Sequence, residues 1–281
     1  MQTVTEIQAL RAAVRGWRAS GQAVGLVPTM GNLHEGHFSL LKQARARCDR
    51  VVASVFVNPT QFGPGEDFER YPRTLAQDQV GLAEHDCDLV FAPSVETMYP
   101  FGPEHSVRVQ VPRLTETLEG AHRPGHFDGM ATVVCKLFNL VQPDVAVFGQ
   151  KDFQQLRVIE RFVRDLGLPV TVLAAPIVRE SDGLAMSSRN QYLSPEERQR
   201  AVGIHRTLQA MKVWHVAGRS PQAIEQEAAA QLRELGFEPD YAAVRRSADL
   251  ALPEHGEREH LVALIAARLG STRLIDNLLL D

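Results

Sequence analysis

The chain has 281 residues, of which 44% are hydrophobic, and it carries 30 Lys and Arg against 34 Asp and Glu, for a formal net charge of −4. This length can bury a sizeable core in one large or two modest domains. The near-neutral charge disfavours a nucleic-acid partner, because proteins that bind nucleic acids usually carry a basic face.

Cysteine usage and hydropathy indicate the compartment. Cys48, Cys87 and Cys135 are odd in number, widely spaced and without a C-x-x-C pattern. We expect reduced thiols rather than disulfides, and a catalytic cysteine stays an alternative. No apolar stretch approaches the roughly 20 residues of a membrane span, and the N-terminus lacks the pattern of a signal peptide. The sequence therefore predicts a cytoplasmic protein without a membrane partner.

Helix and strand patterns alternate along residues 1–176. The predicted elements are, in order, helix 3–20, strand 23–27, helix 37–48, strand 51–57, helix 73–85, strand 88–92, helix 126–141, strand 144–148, helix 152–166 and strand 170–174. Short, nearly continuous apolar strands between helices predict a parallel sheet that is covered on both faces. Residues 1–176 are therefore expected to form an α/β domain.

The pattern changes after Pro176. Ser194, Pro195 and Glu197 form a helix start, with serine as the N-cap, proline at the first position and glutamate at the third. The predicted elements are helices 195–216 and 221–235, followed by strands 241–246, 261–268 and 272–277. Helices followed by a short group of strands predict a separate small α+β domain over residues 177–281.

The most informative motif is His34-Glu35-Gly36-His37, which lies where the strand 23–27 gives way to a helix. Histidines three apart at a helix start lie on one face. The helix N-terminus offers N–H donors and the positive end of the dipole, so phosphate binds there readily. The pair alone also fits a solvated helix start. A zinc site is disfavoured, because the H-E-x-x-H motif places its histidines four apart.

This spacing resembles the nucleotide-binding signature of the nucleotidyltransferase superfamily, which includes the class I aminoacyl-tRNA synthetases. In that superfamily the two histidines contact the phosphates of ATP. The segment Met186-Ser187-Ser188-Arg189 stands where the superfamily carries a second, lysine-containing loop, but no lysine flanks Met186 here. Lys151, from the loop after the strand 144–148, would supply the missing ammonium.

Other polar segments also follow predicted strands. Asn58 and Gln61 come after the strand 51–57, and their amides could bind hydroxyls or carboxylates of a small ligand, although Asn-Pro is also a common turn opener. Lys151 suits a phosphate as a point charge, and Asp152 could cap the next helix. Ligands of parallel sheets bind beyond the carboxyl ends of the strands, where these segments lie.

The ordered set of motifs resembles the pantothenate synthetase (pantoate–β-alanine ligase) family. The segments that carry the resemblance are PTMGNLHEGH at 28–37, NPTQF at 58–62, YPRT at 71–74, EGAHRPGHF at 119–127, KLFN at 136–139, FGQKDFQQ at 148–155, SSRN at 187–190 and RLIDN at 273–277. They span nearly the whole chain. Each motif is weak by itself, but the ordered set is specific.

The resemblance implies a fold and a reaction. The fold would be a Rossmann-like ATP- and pantoate-binding domain with a small C-terminal lid domain. The carboxylate of pantoate would attack the α-phosphorus of ATP, and β-alanine would then attack the acyl-adenylate, releasing AMP. Mg²⁺ would accompany ATP, no metal ligand is assigned, and the enzyme would be a cytoplasmic homodimer.

The resemblance also assigns residues. His34, His37 and Lys151 would be catalytic, with His37 as proton donor, and Gln61 and Gln155 would hold pantoate, with Gln61 also near β-alanine. Arg123 and His126 could border the site, but they are interpreted as structural. The residues that would line the ATP site are Met30, Gly31, Asn32, Leu33, His34, Glu35, Gly36, His37, Gly149, Gln150, Lys151, Asp152, Val178, Met186, Ser187, Ser188 and Arg189.

Three other functions share part of this pattern. A nucleotidyltransferase that adenylates a mononucleotide would release a dinucleotide. A nucleotide sensor would bind ATP without making AMP. An aminoacyl-tRNA synthetase is disfavoured, because the chain is short and acidic and lacks an anticodon-reading domain.

Overall fold

The computed structural model describes all 281 residues, which divide into two compact units. The first unit comprises residues 1–150 and 158–176, and the second comprises residues 151–157 and 177–281. None of the helices has the length and apolar character needed to cross a membrane. The three cysteines are free, and burial raises the pKa of the Cys87 thiol to about 11, which disfavours the catalytic-cysteine alternative.

Strands and helices alternate through the first 176 residues, as predicted. The elements are β1 (Gln2–Val4), α1 (Ile7–Ala19), β2 (Val24–Thr29), α2 (Glu35–Arg45), β3 (Arg50–Val55), α3 (Leu75–Glu84), β4 (Leu89–Phe91), α4 (Val95–Met98), α5 (Glu119–His122), α6 (His126–Val141), β5 (Val145–Gly149), α7 (Phe153–Asp165) and β6 (Thr171–Ala175). A 3-10 turn, Pro59–Gln61, follows β3.

The first unit contains a six-stranded sheet in the order β1-β4-β3-β2-β5-β6, in which every pairing is parallel. The predicted α/β class is therefore confirmed. Central β2 reads Val-Gly-Leu-Val-Pro-Thr, and its first four residues are buried. It pairs with β3 on one side and with β5 on the other. Such continuous apolar strands are typical of a sheet that is covered on both faces.

The first predicted helix begins too early. Residues Gln2–Val4 form an edge strand, β1, which pairs with β4 from Gln2 opposite Leu89 to Val4 opposite Phe91. Three residues are too short to show a strand periodicity, and their conformation is set by the distant partner strand. Helix α1 begins only at Ile7.

Helix α6 packs closely on the 3-10 turn after β3. It is buried almost all round, with eleven of its residues inaccessible. A Cβ atom at Gly129 would lie 2.1 Å from the carbonyl oxygen of Thr60, so only glycine allows this approach. Since Gln61 is the last residue of that turn, Gly129 fixes the depth at which Gln61 sits.

The second unit contains the elements that follow Pro176. These are a 3-10 turn (Ser188–Tyr192), α8 (Pro195–Ala201), α9 (Gly203–Val216), α10 (Pro221–Glu234), β7 (Glu238–Arg246), β8 (Leu261–Leu269) and β9 (Thr272–Leu279). The three strands form an antiparallel sheet in the order β7-β8-β9. Helices α9 and α10 share a buried apolar core with this sheet.

The predicted single helix over residues 195–216 is wrong in one respect, because it is two helices that meet at Val202. The predicted start is confirmed, since Ser194 and Glu197 form reciprocal capping hydrogen bonds. At Gly203 an added Cβ would lie 2.9 Å from a methyl of Leu235 and 3.0 Å from the Phe237 ring. The break therefore lies beside a close contact with residues that follow α10, which a local pattern does not reveal.

Candidate active site

The two histidines of the H-x-G-H motif cap helix α2 reciprocally. Nδ1 of His34, the N-cap residue, accepts the N–H of Gly36 at 3.1 Å, and Nδ1 of His37 accepts the N–H of His34 at 3.4 Å. The ring centroids are 4.2 Å apart. Because each Nδ1 accepts a hydrogen bond, each neutral imidazole carries its proton on Nε2. The pair therefore presents two N–H donors of fixed tautomer beside a helix N-terminus.

The loop before these histidines is held by a carboxylate that the sequence analysis missed. Asp78 in α3 is 2% exposed and accepts the N–H of Asn32 at 3.1 Å and that of Leu33 at 2.8 Å. Gly31 and Asn32 both have positive φ, at 85° and 51°. Two consecutive left-handed residues form a sharp turn, which needs such support. The sequence did hold one indication of this role. Asp78 lies four residues before the apolar Leu82, so it falls on the apolar face of the predicted helix, where a charge is unusual.

Gln61 is buried beside the same loop. Its side chain is 7% exposed and donates from Nε2 to the sulfur of Met30 at 3.0 Å. Its Oε1 accepts from Nδ2 of Asn58 at 3.1 Å. The residues that follow β2 and β3 therefore meet at one edge of the sheet, as expected for parallel neighbours.

Asn58 supports Gln61 from inside the protein. It is 1% exposed, and its Nδ2 also donates to the carbonyl oxygen of Gly129 at 3.2 Å. Its Oδ1 accepts from the hydroxyl of Tyr99 at 2.7 Å. A side chain with these partners has its hydrogen-bonding capacity filled by protein. The expectation that the Asn58 amide contacts a ligand is therefore replaced by a supporting role, and Tyr99 is a further supporting residue without a sequence signal.

Arg123 and His126 form the second support of Gln61. Nδ1 of His126 donates to the backbone carbonyl of Gln61 at 2.7 Å, and its Nε2 accepts from Arg123 at 3.1 Å. Arg123 forms a two-pronged pair with Glu66, at 2.7 and 2.6 Å. This chain of contacts runs from Glu66 to Gln61. Burial and the neighbouring Arg123 charge lower the pKa of His126 to about 4.

The second unit holds a different set of the predicted residues. Nζ of Lys151 lies 3.7 Å from Oδ1 of Asp152, and the backbone carbonyl of Lys151 accepts from Nδ2 of Asn277 at 2.8 Å. Gln155 lies in the first turn of α7, three residues beyond Asp152. Spacing of three places these two positions on one helical face.

Val178 and Met186 are brought together by the chain itself. The N–H of Met186 donates to the carbonyl of Val178 at 3.0 Å, and Arg179 pairs with Ala185 in an antiparallel bridge. Residues 178–186 thus form a tight hairpin-like loop. Ser187 then caps the 3-10 turn by accepting the N–H of Arg189 at 3.3 Å. Two segments that the sequence suggested separately, Val178 and 186–189, therefore form one local structure.

The carboxylates of the segments expected to bind ATP are not clustered in a way that would hold a metal ion by protein ligands alone. No group of three or more His, Cys, Asp or Glu side chains is arranged to hold a metal. Mg²⁺ usually keeps several waters and binds one or two carboxylates together with substrate phosphates. Glu35 and Asp152 are the carboxylates within the segments expected to bind ATP.

The contacts of His126 predict a pH dependence of stability. Its pKa is about 4 in the folded chain and 6.5 for an ordinary histidine, so the unfolded chain binds the proton more readily between these values. The free energy of unfolding should therefore fall as the pH drops from 6.5 to 4. His126→Asn, which keeps a donor for the Gln61 carbonyl, should flatten this slope in urea titrations across that range.

The matched control is His105→Asn, which changes an exposed histidine, and which should leave the slope as it is in the unmodified chain. The charged groups that act on His126, which are Arg123, Glu66 and Glu119, are retained in both variants. An unchanged slope in His126→Asn would show that this histidine is not held neutral by its surroundings.

Comparisons with known proteins agree over the full length. A family model described as pantoate-beta-alanine ligase matches residues 2–279. The chain is 58% identical over 279 residues to a pantothenate synthetase of Xylella fastidiosa (strain 9a5c) and 57% identical over 280 residues to one of Stenotrophomonas maltophilia (strain R551-3), with 99% of each chain covered in both cases.

Solved structures give the same result. The crystal structure of pantothenate synthetase from Thermus thermophilus has a TM-score of 0.93 and 50% identity, and the match covers 100% of this chain and 99% of that one. A pantoate-beta-alanine ligase from Francisella tularensis, complexed with beta-gamma ATP and beta-alanine, has a TM-score of 0.84 and 32% identity over 100% of this chain and 98% of that one.

Proposed function

The chain belongs to the pantoate-beta-alanine ligase family, and we propose that it joins its two substrates through a pantoyl-adenylate. It is a carbon–nitrogen ligase that condenses pantoate with β-alanine in an ATP-dependent reaction of pantothenate biosynthesis. The observation that carries the proposal is the reciprocal histidine cap, which presents two Nε2–H donors at a helix N-terminus.

The chemistry explains why activation is needed. An amine does not displace the oxygen of a carboxylate, because that oxygen is a poor leaving group. In the proposed first step, a carboxylate oxygen of pantoate bonds to the α-phosphorus of ATP and the bond to pyrophosphate breaks. In the second step, the neutral amine of β-alanine attacks the acyl carbon, the bond from that carbon to the AMP oxygen breaks, and the amine's proton passes to water. Both steps balance without any further reactant.

Negative charge gathers on the phosphoryl oxygens during the first step, so donors and cations must be aimed there. We assign this role to Nε2–H of His34, Nε2–H of His37 and the ammonium of Lys151. The family resemblance also assigns His37 as a proton donor, a role that needs its imidazolium form, because a neutral imidazole can donate a hydrogen bond from Nε2 but not its proton. The backbone N–H groups that bond to each Nδ1 orient both rings for donation from Nε2.

The remaining site residues divide by chemistry. Backbone and polar groups of 30–37, 149–152, Val178 and 186–189 are proposed to bind ATP. Gln61 and Gln155 are proposed to bind pantoate, and Gln61 is also proposed to lie near β-alanine. Neutral amides suit this substrate, because they bind hydroxyls without drawing charge from the carboxylate that must attack. An added Cβ at Gly149 would meet no atom within 4 Å, so the backbone there leaves room for a ligand.

Mg²⁺ is proposed to arrive with the phosphates of ATP, where its charge would offset that of the leaving pyrophosphate. Asp152 and Glu35 are the carboxylates available to hold it or its waters. Support comes from the preference of Mg²⁺ for phosphates and water together with one or two carboxylates.

The position of the label from pantoate tests the intermediate. With ATP, Mg²⁺ and pantoate but no β-alanine, the enzyme should release pyrophosphate, and labelled pyrophosphate should exchange into ATP only when pantoate is present. In complete reactions, oxygen-18 placed in the pantoate carboxylate should appear in AMP, because one carboxylate oxygen stays on phosphorus. The label in ATP measures the exchange, and mass spectrometry of AMP measures the oxygen-18.

Label in inorganic phosphate, with ADP as the co-product, would instead mean attack at the γ-phosphorus. That result would overturn the adenylate while leaving the ligase activity in place. A dinucleotide product would point to another nucleotidyltransferase reaction.

Lys151→Ala should lower the rate of pyrophosphate exchange about a hundredfold or more. This corresponds to an activation free energy that is higher by about 2.7 kcal/mol, which is typical of removing one electrostatic contact to a transition state. The reason is that no lysine flanks the Met186–Arg189 segment, so Lys151 supplies the ammonium. Saturating substrates and a thermal melt separate this effect from lost binding and from unfolding. Exchange within about threefold of the unmodified enzyme contradicts the assignment.

Gln155→Ala is the contrasting variant for the substrate assignment. It should raise the pantoate concentration needed for half-maximal exchange, because a bound hydroxyl loses a partner worth roughly 1–3 kcal/mol. The ATP dependence should hardly change. A loss of ATP binding instead would move Gln155 to the nucleotide.

A homodimer and a cytoplasmic location are proposed from the family resemblance. Sedimentation velocity at micromolar concentration should give about twice the 31.1 kDa mass of the chain. A single species at the mass of one chain would refute the dimer, and cell fractionation tests the location.

A further inference from the structure

Strand β9 carries two consecutive buried polar residues, Asp276 and Asn277, although the side chains of a strand usually alternate between buried and exposed. Asp276 is 4% exposed and Asn277 is 1% exposed. Successive side chains of a strand point to opposite faces of the sheet, so these two reach in opposite directions. A buried carboxylate and a buried amide both require partners. The motif at 273–277 contributed to the family resemblance, but no role follows from the reaction for either residue.

Asp276 holds the base of the loop that leads to Met186. Its two carboxylate oxygens accept from the guanidinium of Arg179 at 2.6 and 3.0 Å. The same guanidinium donates to the carbonyl of Gly183 at 3.1 Å, on the far side of the loop. Arg179 thus contacts both arms of the loop, since it also pairs with Ala185, and the Asp276 carboxylate holds its guanidinium in place.

Asn277 holds the backbone of Lys151. Its Nδ2 donates to the Lys151 carbonyl at 2.8 Å, and its own N–H donates to Oδ1 of Asp276 at 2.8 Å. A lysine side chain is a flexible four-carbon stem, so its reach depends on where its backbone is fixed. One dipeptide of β9 therefore contacts the backbone of Lys151 and the side chain of Arg179, which lies next to Val178 in the loop that leads to 186–189.

We propose that Asp276 and Asn277 are positioning residues that hold Lys151 and the 178–189 segment in the arrangement that adenylation requires. The proposal rests on the proposed assignment of both segments to ATP. A catalytic cation acts through its placement, and a shift of about 1 Å can cost a hundredfold in rate. The strand supplies a rigid base for groups that otherwise lie on loops.

A double-mutant cycle tests the contact between Asn277 and Lys151. Asn277→Leu removes the donor at nearly constant volume, and it should lower pantoate-dependent pyrophosphate exchange about tenfold at saturating substrates. In the Lys151→Ala background the same change should alter the rate by less than about twofold, because the group that it positions is gone. Thermal melts of all four proteins confirm that they are folded.

Equal losses in both backgrounds would overturn the role of Asn277, since they would show a general structural effect. Failure of the underlying assignment looks different, because Lys151→Ala would then be active by itself. The two failures are therefore separable in one set of four proteins.

Asp276→Asn tests the second contact, with Asp240→Asn as its matched control. Asp240 lies in β7 and also pairs with an arginine of β9, accepting from Nε of Arg273 at 2.6 Å. Asp276→Asn should raise the ATP concentration for half-maximal exchange about tenfold, and Asp240→Asn should leave it within about twofold.

Similar shifts in both variants would show that any lost ion pair of this sheet has the same effect, and would overturn the role of Asp276. Should Asp276→Asn fail to fold, Arg179→Lys keeps the charge but loses the two-pronged geometry. It should shift the ATP dependence in the same direction, and an unchanged ATP dependence would contradict the proposal.

Discussion

The parallel pairing of β2 with β3 and β5 is the constraint on which the site depends, because parallel strands end at a common edge. The register sets Thr29 opposite Val55, so the chain segments that leave both strands begin side by side. One of them turns into the histidine-capped helix α2, and the other into the 3-10 turn that ends at Gln61. Contact between Gln61 and Met30 follows from that register. A slip of one residue would reverse the face of every side chain in the strand.

Sequence patterns predicted the long elements and failed where structure depends on distant partners. Helix α6 has the predicted bounds, His126–Val141, because a largely apolar run of sixteen residues is too long for a buried strand and indicates a buried helix. Strand β1 was missed because three residues carry no period and gain their conformation from β4. The helix break at Val202 was missed because local propensity favours continuation. In each failure a tertiary contact overrides the local signal.

The same distinction applies to the site. The histidine pair could be predicted from the sequence because its spacing, the strand before it and the helix start are all local features. The residues that hold the site in place could not be predicted in this way, because their partners are distant in the sequence. Asp78 lies 45 residues from Leu33, and Asn58 lies 41 residues from Tyr99. Their side-chain hydrogen bonds are properties of the folded chain alone. An aspartate on the apolar face of a predicted helix was the one usable sign, since a charge is rarely buried without partners.

The chemistry of the assigned groups fits the order of events in the proposed reaction. Neutral amides are assigned to the acid, and in the first unit the amide of Gln61 is held in place by Asn58 and His126. The cations assigned to ATP, Lys151 and Arg189, belong to the second unit. A cation paired with the pantoate carboxylate would stabilise its ground state and raise the barrier to attack. Cations reserved for the phosphates stabilise charge that grows only as pyrophosphate leaves, so their binding energy is used in the transition state.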